Sequence, residues 1–252
     1  MWGGRVVLRV LKAELLKLRG SKAAWGTIAV VVSFALLTIS LSRLFSGSAH
    51  VMWTDTLKLA PQFMAGWWGL LVFGLAAANL FGSEFSDGTA AGMFTTPIRR
   101  EYFVVAKMLV LALWAAGLAL TAVASQSLAA LILGAEGFAW KLVFVCLGDN
   151  LLVAFLLYLT TPVVALVSML GRGYIAPMLY STGLISLSVT AGFLGWERWI
   201  PWAMPLTVAG GIAPPGVIDG SLSVGSWTLL VAFFVLGLAV VFVYVNRVDS
   251  SG

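Results

Sequence analysis

Charge is what this sequence has least of. Only 10% of its residues are Asp, Glu, Lys or Arg, while 61% are hydrophobic. A soluble domain carries about 25% charged residues. So few charges cannot cover a globule of 252 residues, which excludes a soluble domain of ordinary size. Cysteine and histidine are nearly absent too. A lone Cys146 permits no internal disulfide, and a lone His50 builds no metal site without thiol or carboxylate neighbours, so both read as structural. No G-x-x-x-x-G-K-[ST] occurs, so the chain is not expected to bind ATP through a P-loop. No H-E-x-x-H occurs, and the carboxylates inside the apolar runs are too few for a proton relay. Gly171-Arg172-Gly173-Tyr174-Ile175-Ala176 fits a relaxed G-x-G-x-x-A, but no strand precedes it, so it is not read as a dinucleotide site. The expectation is a chain with no catalytic residues, no metal and no cofactor of its own.

What is present is a series of apolar runs of about 20 residues, the length that crosses ~30 Å of hydrocarbon at 1.5 Å per residue. The runs are continuous rather than alternating, which favours helices over a barrel. The fold class expected is an all-α integral membrane protein with six transmembrane helices. The spans are placed at about Ala23–Ser42, Pro61–Gly82, within Val104–Leu133, Leu151–Leu170, about Tyr174–Leu194 and about Trp227–Val245. Arg43 to Ala60 reads as a polar loop. Lys141 to Leu170 is ~45 Å as one helix, longer than the core. Asp149 and Asn150 are therefore read as interrupting it, with Pro162 kinking the remainder. The whole chain, 1–252, reads as one transmembrane domain. Residues 195–226 form an external Trp- and Pro-rich loop in this reading.

Residues 1–22 place Arg5, Arg9, Lys12 and Arg19 on one side of a helix, with leucines and valines over much of the rest. This pattern suits an amphipathic helix in the membrane interface rather than a cleaved signal peptide. Six spans put both termini on one side. Eleven Lys and Arg residues fall on that side and four on the other, so both termini are expected in the cytoplasm. The net charge of +5 is explained by these flanks and by anionic lipid, not by nucleic acid.

Three polar features stand out within the apolar background. Asp149-Asn150 lies at membrane depth, where an ionisable residue is a functional hypothesis; the competing reading is an external vestibule with Asp149 capping a helix that starts at Leu151. Gln126 in the third span, and Asn79 near the end of the second, are read as bonds to neighbouring helices, with a place along a substrate path as the alternative. The third feature is the stretch Gly82 to Lys107, which packs Glu84, Asp87, Arg99, Arg100, Glu101 and Lys107 between two spans. Orientation explains its cations. It does not explain the acidic and small residues that precede them.

At this stretch the sequence resembles the ABC-2 family of ABC-transporter permeases. The resemblance is carried by Gly82-x-Glu84-x-x-x-Gly88-Thr89, then Thr96-Pro97-Ile98-Arg99, then Lys107. It implies that residues 83–103 form a coupling segment docking on a cytoplasmic ABC ATPase, with Glu84, Asp87, Gly88, Thr89, Pro97 and Arg99 as the coupling residues. It also implies that residues 1–22 are an elbow helix, and that ATP and Mg²⁺ sit on the partner ATPase. External Ile200-Pro201-Trp202-x-x-Pro205 is similar to the small permeases of bacitracin and lantibiotic export or immunity systems. The function implied is the permease of an ATP-driven exporter of an antibiotic, peptide or hydrophobic drug in a prokaryotic plasma membrane, paired with a second permease copy. A membrane scaffold without transport, and an ion-coupled carrier, are the alternatives. The Asp149-Asn150 pair matches no motif of the family.

Overall fold

The computed structural model describes residues 2–45, 50–83, 100–210 and 222–247. Its helices are α1 (Trp2–Gly20), α2 (Lys22–Phe45), α3 (Trp53–Gly82), α4 (Arg100–Ile132), α5 (Trp140–Leu170), α6 (Ile175–Leu194), the short α7 (Met204–Val208) and α8 (Val224–Arg247). All but α1 and α7 are long and apolar enough to cross a membrane, giving six spans. Among the described residues the one β feature is an isolated bridge between Met52 and Glu136.

Cross-helix contacts fix the directions. Trp114 Nε1 donates to Thr27 Oγ1 (3.2 Å) and Gln126 Nε2 to Thr38 Oγ1 (3.1 Å), so α2 and α4 run parallel, joined at two levels about three turns apart. Asn79 meets Tyr174 while Gly74 meets Ser181, so α3 and α6 are antiparallel. The six spans thus alternate. A basal end gathers α1, the starts of α2, α4 and α6, and the ends of α3, α5 and α8. The distal end carries the remaining termini.

The core belongs to α3, α5 and α4, whose most apolar windows are 72%, 61% and 50% buried. The same windows of α2, α6 and α8 are only 28%, 33% and 17% buried, although α8 is the most apolar of all. Among the described residues none covers these faces, which suits contact with lipid or with another protein.

Two expected boundaries move. The second span starts at Trp53, not Pro61, and Pro61 lies inside the helix. The fourth span is one unbroken helix through Asp149 and Asn150, so no helix starts at Leu151 and Asp149 caps nothing. The reason is local. Asn150 turns its amide back onto its own helix, donating to Cys146 O at 2.9 Å, so the polar pair costs no backbone bond.

Both mid-helix prolines are compensated in the same manner. A proline lacks the N–H that would serve the carbonyl four residues earlier. For Pro162 that carbonyl is Tyr158 O, and the Thr161 hydroxyl donates to it at 2.6 Å. For Pro61 it is Leu57 O, and the Cys146 thiol donates to it across the helix pair at 3.3 Å. The lone cysteine is therefore a bond between α3 and α5.

The segment after α6 differs from an open loop. After a 3₁₀ turn at Glu197–Trp199, residues 203–207 are buried throughout, and Ala203 and Met204 are fully so. Helix α7 fits among α3, α5 and α6 and plugs the distal half of the bundle.

Candidate functional site

The coupling residues inferred from the family motif, Glu84, Asp87, Gly88, Thr89, Pro97 and Arg99, lie outside the described residues. The residues that flank them are described, and they converge on the basal end. Helix α3 finishes there in a π-helical turn, Ala78–Gly82. Asn79 in this turn accepts bonds at Oδ1 from the Ser21 hydroxyl (3.1 Å) and the Tyr174 hydroxyl (3.3 Å). Ser21 is the residue between α1 and α2, and its hydroxyl also accepts the Ala24 N–H (3.4 Å). One amide thus ties α3 to the α1–α2 joint and to the start of α6. Gly82 runs so close to its neighbours that an added Cβ would lie 3.2 Å from Gly173 O and 3.3 Å from Ser168 O.

The other flank is held by Lys107, which is 2% exposed on α4. Its ammonium donates to Leu80 O in the same π turn. It lies 3.6 Å from Glu14 Oε2 and 5.6 Å from the Phe81 ring centroid. Glu14 is itself buried on α1, between Val10 and Leu18 at one-turn spacing, and this stripe packs against α4. Arg9, Lys12 and Arg19 are exposed. At 3.6 Å the pair is ionic rather than a hydrogen bond. A buried charge is tolerated only when paired, so Glu14 and Lys107 fix each other and thereby fix α1 on α4. At the start of α4, Arg100 Nη1 donates to Val245 O (3.2 Å), joining the first turn of α4 to the end of α8.

The four interior polar residues do not form one site. Asn79 belongs to the basal cluster, Gln126 to the α2–α4 contact, and Asn150 to the Cys146 bond inside α5. Asp149 faces a cavity. This is a distal slot of about 400 Å³ between α3 and α5, closed below by Val208–Gly210 at the end of α7.

Two carboxylates escaped the sequence reading. Glu14 was one acid in a basic helix, with its partner far along the chain. Glu197, 1% exposed beneath the distal end, stood in a segment read as loop. A signal for Glu14 was available: it sits at i+4 from Val10 and i−4 from Leu18, on the apolar stripe.

Six helices long and apolar enough to cross a membrane define a multi-pass helical membrane protein. The chain belongs to the ABC-2 family: the model described as ABC-2 family transporter protein matches residues 10–188, a stretch that contains α4, α5 and the whole basal cluster save its α8 contact. It is also similar to the bacitracin transport permease protein of Bacillus licheniformis, 23% identical over 181 residues, covering 72% of this chain and 85% of that one. The chain is therefore a transporter permease of this family, in the plasma membrane.

Proposed function

We propose that the chain is the permease subunit of an ATP-driven exporter, acting as a pair of permeases with two cytoplasmic ABC ATPases. It has no nucleotide site of its own in this reading; ATP and Mg²⁺ bind the partner, which docks at residues 83–103. The basal end is the cytoplasmic one. The observation that carries the proposal is the basal cluster. Both ends of the 84–99 segment enter the bundle through Asn79, Lys107 and Arg100, which reach α1, α3, α4, α6 and α8. These contacts support the segment as a place where a push could be passed to several helices at once. The proposed cargo class is an antibiotic, peptide or hydrophobic drug, and the similarity to a bacitracin transport permease supports the antibiotic part of it.

Affinity purification in mild detergent tests this. An ABC ATPase is expected to co-purify, with hydrolysis stimulated by cargo. Glu84→Ala and Gly88→Pro are expected to lower that stimulation or detach the ATPase while membrane insertion stays intact. Normal co-purification and normal stimulation in both variants would overturn the docking role.

A further inference from the structure

The distal slot is built from two facing helical stripes. On α3 the stripe is Thr54, Lys58 and Gln62, spaced one turn apart; on α5 it includes Leu142, Val145 and Asp149. Both helices start at the distal end, at Trp53 and Trp140. Gln62 and Asp149 therefore lie at matching depth, ~13 Å from the helix tips, and Lys58 roughly one turn nearer the mouth. At 1.5 Å per residue α5 is ~46 Å long against ~30 Å of hydrocarbon, so Asp149 stands at or just inside the apolar boundary.

A carboxylate at that depth keeps its charge only if water or a cation reaches it. Asp149 and Lys58 are both exposed to the slot, and among the described residues no ion pair joins them. The two charges thus stay apart, one above the other, on walls that are otherwise largely apolar. Were the slot merely a packing defect, neither charge would gain from lining it. Closing on each other would have offset their desolvation.

We infer that this slot binds the polar end of a zwitterionic amphiphile, with an ammonium group at Asp149, an anionic group at Lys58 one turn above, and an apolar body along the α3 and α5 walls. Its volume of about 400 Å³ suits a phospholipid-like headgroup or a short apolar peptide with both termini free, which share this chemistry. Calling the ligand cargo rests on the exporter reading; binding itself does not, and needs no ATPase.

The test uses the full chain in maltoside micelles without ATPase. The probe is lysophosphatidylethanolamine carrying a fluorophore on its acyl chain, with binding read by polarisation. Saturable binding is expected. Lysophosphatidylglycerol (anion only) and dodecylamine (cation only) should compete about tenfold more weakly than unlabelled lysophosphatidylethanolamine. Asp149→Asn should erase the advantage over lysophosphatidylglycerol, and Lys58→Met the advantage over dodecylamine. Both residues are exposed, so folding is not at stake, and unchanged melting confirms it. Competition by trileucine assigns the site to peptides, its absence to lipids. Equal competition by all amphiphiles, or unchanged preferences in both variants, would overturn the inference. Should ATPase co-purification fail while these preferences hold, the exporter reading falls and the site stands.

Discussion

At the scale of single residues, the Glu14–Lys107 pair is the most exacting feature. Each charge has surrendered water and is held by the other, by Leu80 O and by the Phe81 face. Truncating one partner of a buried pair costs up to about 3–5 kcal/mol, here offset in part by Lys17, 3.6 Å from Glu14 Oε1, whereas removing both charges in matching shapes is far milder. Lys107→Met is accordingly expected to lower the melting temperature sharply in detergent. Adding Glu14→Gln should restore much of it. Equal melting of Lys107→Met and the parent would show that the pair carries no stability. Lys107 was already visible in the sequence as part of the motif after the second span. Its partner was not, because which helix packs on which is decided by long-range contacts that no window reports.

At the scale of elements, α3 sets the architecture. It is the most buried span, and close approach along it depends on small residues. A Cβ on Gly74 would lie 2.2 Å from Ser181 Oγ and 3.0 Å from Ser181 Cβ, so α3 and α6 touch nearly backbone to side chain there. Overpacking of this kind costs about 1–3 kcal/mol. Gly74→Ala is expected to destabilise by that amount in thermal unfolding, and Ser181→Gly in the same chain to recover part of it; a neutral Gly74→Ala would mean the two helices are free to part. The spans themselves were legible because a 20-residue apolar run is a local property. The start of α3 was not, since Thr54, Asp55, Lys58, Pro61 and Gln62 have the composition of a loop. Four of these five line the slot, Thr54, Lys58 and Gln62 as one helical stripe with Pro61 beside it, and Pro61 is tolerated because Cys146 takes over its missing bond. Likewise Asp149-Asn150 looked like a break because hydropathy averages both residues together. In space they part, one into the slot and the other onto its own helix.

At the scale of the whole molecule, three central helices are wrapped by three that bury little. Under the proposed assembly those outer faces meet lipid and the second permease. Reporter fusions at either terminus are expected to be active only in the cytoplasm, as the Lys and Arg distribution requires. A C-terminal reporter active outside would invert the assignment of the basal end. The distal plug was the part of the molecule least open to sequence reasoning. Its tryptophans and prolines look like an interfacial loop, yet Met204 and Leu206 are core residues, because a re-entrant segment is stable once neighbouring helices cover it.

Helix α3 holds two π-helical turns, Met64–Trp68 beside the plug and Ala78–Gly82 at the base. Each such turn stores one surplus residue relative to an α-helix. A surplus residue can migrate along the ladder by exchanging one hydrogen bond at a time. Each step re-registers the residue it passes by about 100° and ~1.5 Å and leaves the helix on either side in place. The innermost helix of the bundle is therefore phased twice: the side chains beyond each turn are set about 100° away from where one uninterrupted α-helix would aim them.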